Sequence, residues 1–302
     1  MKRLLTALLL ISSASGQQIY DLLLKNGRVI DPANHRDGQM DVAVIGNKLV
    51  RVATNLPVAH ARVVVDASGY MVTPGLIDIN THLGEVKPDY NTLPYGVTTA
   101  VDAGTVTCAT FPSFKKEVIG HAKVRVLAFI SGDAECTSHL ASQNHETIVG
   151  RAADPSSLEA AVNGPQPFRV TQERASFLVG TISSGMDANN VLLPRANMST
   201  AMSIYLNLGM TAEQIIERVT SNAARAIKRP ELGALNEGGV ADIAVLEIQQ
   251  GKFGFLDSAR TRLDANRRFH CVLTVRNGAV VWDSEGLSIS DTIRAGPYTN
   301  FK

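Results

Sequence analysis

Three cysteines in 302 residues, Cys108, Cys136 and Cys271, are too few and too widely spaced to form the disulfide framework of a small stapled domain. A domain stabilised by its core is expected instead. Charge of one sign is also missing: 29 Lys and Arg stand against 28 Asp and Glu, a formal charge of +1. That balance argues against a basic nucleic-acid binder and against an acidic tail protein. No uncharged apolar run reaches the ~20 residues a spanning helix needs. Fixed-period repeats, low-complexity tracts and glycine-rich phosphate loops are absent too. What the chain does have is 45% hydrophobic against 19% charged residues, ample material for a large core or two smaller ones.

The first sixteen residues follow the pattern of a secretory signal peptide. Lys2 and Arg3 precede an apolar run from Leu4 to Ile11, and Ala14 and Gly16 sit three and one residues before a cut ahead of Gln17. A secreted or periplasmic location is expected.

Beyond this leader, short β-type runs (Tyr20 to Leu24, Asp41 to Ile45, Leu49 to Val52, Val63 to Asp66) alternate with the turn signals Asn26-Gly27, Asp31-Pro32 and Gly46-Asn47. From Val72 the rhythm changes to apolar runs separated by longer connections: Pro74 to Ile79, Val97 to Val101 and Val124 to Ile130. Such spacing suggests βαβ units and a parallel sheet. A helix is predicted from Thr211 to about Lys228, opened by a capping box of Thr211 and Gln214 and stopped by Pro230. Strands return at Ala241 to Ile248, Val272 to Arg276 and Ala279 to Trp282, the last two joined by the hairpin signal Asn277-Gly278. The two ends of the chain are expected to complete one β-unit around the alternating middle.

At Thr73 to His82 the chain reads TPGLIDINTH, and here it resembles the amidohydrolase superfamily of metal-dependent hydrolases, on its deacetylase and dihydroorotase-like branch. YDLLLKNGRVID at 20–31, YGVTTAVDAG at 95–104, RVLAFI at 125–130, LNLGM at 206–210, LGALNEGGVADIAVL at 232–246 and GKFGFLDS at 251–258 carry the same likeness. The resemblance implies a (β/α)₈ barrel flanked by a small β-domain made from both chain ends. It also implies hydrolysis of carbon-nitrogen bonds in small or cyclic amides by water activated on zinc or another divalent metal, which lowers the pKa of bound water to about 7.

The ligands that the resemblance implies are only partly present. The first barrel strand should end in His-x-His, but Asn80 takes the first place and only His82 remains. After Ile148, Val149 and Gly150, where a bridging lysine is implied, stand Arg151 and Ala152. No histidine occurs between His145 and His270, so the ligands of the fifth and sixth strands have no counterpart. On the eighth strand, Thr181-Ile182-Ser183 aligns Gly185 with the implied aspartate that binds metal and acts as general base. Asp187 lies two residues on, facing the same side of a strand, and is the candidate for both roles. Cys136, His139 and His145 lack a fourth ligand and read as a solvated loop. Asp78 and Asp102 read as strand-orienting acids, and Gly104 as a turn glycine.

Length agrees with the loss. Val72 to Leu232 spans 161 residues, whereas such a barrel takes about 250. The deficit falls around Gly150 to Ser176. The expected fold is therefore α/β, an incomplete TIM-type (β/α) barrel with a small β-sandwich-like domain formed by both chain ends. Its divisions are 1–16 as signal peptide, 17–72 and 233–290 as the β-domain, 73–232 as the truncated barrel, and 291–302 as a tail. The expected function is amide hydrolysis of the family type, impaired here. The metal ligands would be His82 and Asp187 if the site works, and no metal would bind otherwise. The alternative is a non-catalytic binding protein or the product of a decaying gene. A small amide is the expected partner, with neither nucleic acid nor membrane. A homo-oligomer is expected because unpaired strand edges seek partners.

Overall fold

The computed structural model describes residues 19–84, 86–144, 146–151, 161–162, 180–190, 196–256 and 261–289. The leader at 1–16 and the tail at 291–302 lie outside the described residues, as does most of the Gly150 to Ser176 stretch. Five strands open the chain: β1 (Tyr20–Asp31), β2 (Arg36–Ile45), β3 (Lys48–Ala53), β4 (Ala61–Asp66) and β5 (Met71–Pro74). The middle holds β6 (Leu76–Thr81), β7 (Val97–Thr107), β8 (Arg125–Ser131), β9 (Ile148–Arg151), β10 (Ala161–Val162) and β11 (Thr181–Ile182). Three more close it: β12 (Ile243–Leu256), β13 (Arg262–Arg276) and β14 (Ala279–Asp283). The helices are α1 (Pro88–Thr92), α2 (Phe111–Phe114), α3 (Ala134–Gln143), α4 (Met198–Asn207), α5 (Ala212–Val219) and α6 (Ser221–Ala226).

Both ends of the chain build one sheet in the order β14-β13-β12-β5-β1-β2-β3, with β4 also beside β1. The sheet is mixed: β1 runs antiparallel to β2 but parallel to β4 and β5. Its core, including Leu22, Val42, Val65, Val72, Ile243 and Val272, comes almost wholly from its own strands, so the sheet folds over itself. Asn277 and Gly278 both have positive φ (54° and 80°), which is why that pair turns β13 tightly into β14.

The middle forms a four-stranded parallel sheet, β6-β7-β8-β9, and a two-stranded parallel pair, β10-β11. Every residue of β6 is buried, as a parallel strand covered on both faces requires. Ile77 and Ile79 pack with Ala223, Ala224 and Ile227 at the end of the helical region, while Leu76 joins the cluster that contains α4 and α5. The stretch after β11 runs parallel beside β6, where Thr81 pairs with Met186 and the His82 N–H donates to the Met186 carbonyl at 2.8 Å. The result is a partial barrel. Among the described residues, no strand pairs with the outer edge of β9.

The two sheets meet at Gly75, whose N–H donates to the Asp242 carbonyl at 2.9 Å; a Cβ here would collide with the Thr98 side chain. Asp242 is the pin. Its carboxylate accepts from Arg125 of β8 at 2.6 Å, from Arg276 of β13 at 3.3 Å and from the Asn277 N–H at 2.8 Å. Burial lowers the Arg276 pKa, and Asp242 opposes that shift. A buried carboxylate shared by two guanidiniums fixes orientation more than it adds stability, because desolvation offsets much of the attraction.

Three expectations need correction. The helix from Thr211 keeps its capping box, but breaks at Thr220 (φ −127°, ψ −93°) into α5 and α6. Cys136 and His139 lie on helix α3, capped by Asp133, rather than on a loop, and His145 is outside the described residues. Cys108 and Cys136 also form a disulfide, with Cα atoms 6.4 Å apart, leaving only Cys271 free and buried. Adjacent parallel strands explain the pairing: β7 and β8 end on the same edge, so the residue after β7 and the first turn of α3 meet there. Burial pushes the Cys271 thiol up to about 12, away from thiolate chemistry.

The bridge closes a segment of sequence separation 28, for which chain entropy gives a stabilisation of about 3–4 kcal/mol. Replacing both cysteines by serine is expected to lower unfolding free energy by roughly that amount in denaturant titrations. Identical midpoints for the variant and the oxidised parent would show that the bridge contributes nothing.

Candidate functional site

Parallel sheets place chemistry at the carboxyl ends of their strands, where side chains converge without backbone pairing. That edge of β6 and β7 carries a cavity of about 660 Å³, whose wall includes His82, Thr105, Ser113, Glu117, Asp187 and Asn189. The structure thus brings both site residues expected from sequence, His82 and Asp187, into one cavity. His82 follows the last residue of β6 and is anchored through its backbone to Met186. One residue further along, Asp187 opens a turn: its Oδ1 accepts the N–H groups of Asn189 at 2.7 Å and Asn190 at 2.9 Å. The Asn190 side chain closes the turn through Oδ1 to the Asp187 N–H (2.9 Å) and Nδ2 to the Gly185 carbonyl (2.8 Å).

The β7 wall is set by Asp102, a buried carboxylate that accepts from the Leu83 N–H (2.8 Å), the Thr105 N–H (2.9 Å) and the Thr105 hydroxyl (2.6 Å). It holds the ends of β6 and β7 together, with Gly104 taking φ +98° to make the bend. The far wall is α2, which runs directly into a π-helical turn at Lys115–Ile119 carrying Glu117 and Val118. Such turns recur at functional sites. Sequence reading missed Thr105 on β7, and also Ser113 and Glu117, because a four-residue helix passing into a π turn breaks the 3.6-residue period. The available signal was the apolar spacing of Phe111, Phe114 and Val118, which marks this segment as one packed face.

A metal centre of the implied kind needs three or more protein donors. Among the described residues, no group of three or more His, Cys, Asp and Glu side chains lies close enough to hold an ion. The reasons are local. Asn80 occupies the strand position two before His82 and supplies at most a weak amide oxygen for zinc. Gly185 (φ +64°) has no side chain to offer. Arg151 ends β9, but its side chain is outside the described residues. The donor set among the described residues does not fit the metal.

Below the cavity, Asp78 of β6 is buried among Ser183 and Ser184, with its Oδ1 accepting the Ser184 N–H at 3.1 Å and the Asn80 N–H at 3.4 Å. Burial raises its pKa to about 6, and the hydrogen bonds from Ser184 and Asn80 only partly oppose this. A carboxyl whose folded pKa lies above its unfolded value favours the fold most at low pH, and that contribution is lost as pH climbs from about 4 through about 6. Between pH 4 and pH 7, the Asp78→Asn variant is expected to gain on the parent by on the order of 2–3 kcal/mol in unfolding free energy. A difference between the two proteins that stays constant with pH would contradict this.

The sequence profile described as "Amidohydrolase family" matches residues 155–296. A dihydroorotase of Lactococcus lactis is 34% identical over 103 residues, covering 34% of this chain and 24% of that protein. A dihydroorotase of Streptococcus pyogenes is 37% identical over 192 residues, covering 62% of this chain and 42% of that protein. The chain therefore spans less than half the length of these relatives. A solved dihydroorotase superposes with a TM-score of 0.73 at 20% identity over 87% of this chain and 99% of that one, which shows the shared fold. Sequence motifs, partial barrel and these likenesses agree: the chain is similar to the amidohydrolase family over residues 155–296 and to dihydroorotases over part of their length.

Proposed function

We propose that this protein binds a small amide at the strand-end cavity, on a scaffold whose ancestral activity is metal-assisted hydrolysis of carbon-nitrogen bonds and whose hydrolytic step is impaired. One observation carries the reading. His82 and Asp187 share a cavity at the catalytic edge of the partial barrel, yet the described residues around them do not assemble the donors that hold a metal. What remains suits recognition of an amide. Asp187, with Oδ1 committed to its own turn, has Oδ2 to accept an amide N–H, and the hydroxyls and imidazole on the wall can donate to a carbonyl.

The Cys108–Cys136 bridge, with the Lys2-Arg3 leader, supports a secreted or periplasmic location, because disulfides persist in oxidising compartments. The edge of β9, without a pairing strand among the described residues, supports self-association.

Hydrolysis of dihydroorotate and of N-acetyl amino acids by the purified chain, with added zinc and with chelator, tests the reading. Rates are expected to match buffer in every condition and to be unchanged by His82→Ala or Asp187→Ala. Turnover far above buffer that chelator abolishes and Asp187→Ala removes would establish a working hydrolase.

A further inference from the structure

We propose that the cavity selects an elongated amide without net negative charge, neutral or cationic, over a compact anion such as dihydroorotate. This rests on the amide-binding reading above and narrows it to a substrate class. Charge supplies the first argument. The described residues on the cavity wall include two carboxylates, Asp187 and Glu117, one imidazole, His82, and neither Lys nor Arg. A ligand carboxylate would meet no cation there and two like charges. Lys116, 3.6 Å from Glu117, joins two largely exposed side chains and is screened by solvent, and in the adjoining groove Lys87 is offset by Asp89.

Shape supplies the second. A groove of about 410 Å³ adjoins the cavity across a shared wall of Gly84, Glu117 and Val118 and continues toward Tyr90 and His121. The cavity alone, at about 660 Å³, already lies within the range that takes drug-sized ligands. A ligand can therefore seat its amide beside His82 and Asp187 and run over the Glu117–Val118 divider, its far end flanked by the exposed ring of Tyr90.

Binding constants for four probes, measured by calorimetric or NMR titration of the full chain, test both parts. Nα-acetyl-L-lysine methylamide is expected to bind about tenfold or more tighter than Nα-acetyl-L-glutamate methylamide, and dihydrouracil tighter than dihydroorotate, in the sense set by the wall charges. Glu117→Gln should cut the lysine-to-glutamate ratio by roughly threefold or more, as should high salt. Tyr90→Ala should weaken the lysine probe about fivefold while leaving dihydrouracil within about twofold, since Tyr90 lines the groove and not the cavity. If the anionic member of either pair binds as well as its counterpart, charge selection is wrong while amide binding stands. Equal effects of Tyr90→Ala on long and short probes overturn the extended groove. Failure of all four probes to bind overturns the amide-binding reading itself.

Discussion

The seam between β6 and the stretch after β11 governs the rest of the molecule. It consists of a parallel pairing of Thr81 with Met186, the His82 N–H on the Met186 carbonyl, and the buried Asp78 carboxyl receiving the Ser184 N–H. Residues a hundred positions apart in sequence are thereby locked in one register, and a single-pair slip would carry Asp187 out of the cavity it shares with His82. The seam also explains how the described strands build a strand-end site. Only the strands flanking that edge are needed to form the cavity, whereas a complete ligand set draws on strands all around the barrel.

Among the described residues, two devices brace the four-stranded parallel sheet. At the amino-terminal edge, Asp242 joins Arg125 of the parallel sheet to Arg276 of the mixed sheet, so each sheet braces the other. At the opposite edge, the Cys108–Cys136 bridge ties the segment after β7 to helix α3, beside the wall formed by Thr105 and Thr110. The cavity therefore lies between a covalent tie and a hydrogen-bonded seam, both independent of any metal.

Much of this was readable in advance where local chemistry decides structure. The Asn277-Gly278 turn, the Thr211–Gln214 capping box and the apolar run Pro74 to Ile79 each follow from short-range rules, and each stands in the structure. What escaped was decided by topology. Cys108 and Cys136 pair because two parallel strands end side by side, which no spacing in the chain reveals. Thr220 breaks the helix although its neighbours keep helical periodicity, and its hydroxyl donates back to the Ile216 carbonyl at 2.5 Å. Glu117 enters the cavity from a π turn, where helical periodicity points the wrong way. For Asp187, two residues beyond the aligned position, the offset is absorbed by Gly185 in the left-handed region and by the turn that Asn190 closes.

The scaffold and its cavity persist, while the described residues do not assemble the donor set. The most direct test is the metal-to-protein ratio of the folded, purified chain, measured by elemental mass spectrometry after growth with zinc and exhaustive dialysis. A ratio near zero is predicted. A ratio of about one or more, lost together in His82→Ala and Asp187→Ala, would contradict the account and restore a metal centre to the strand-end cavity.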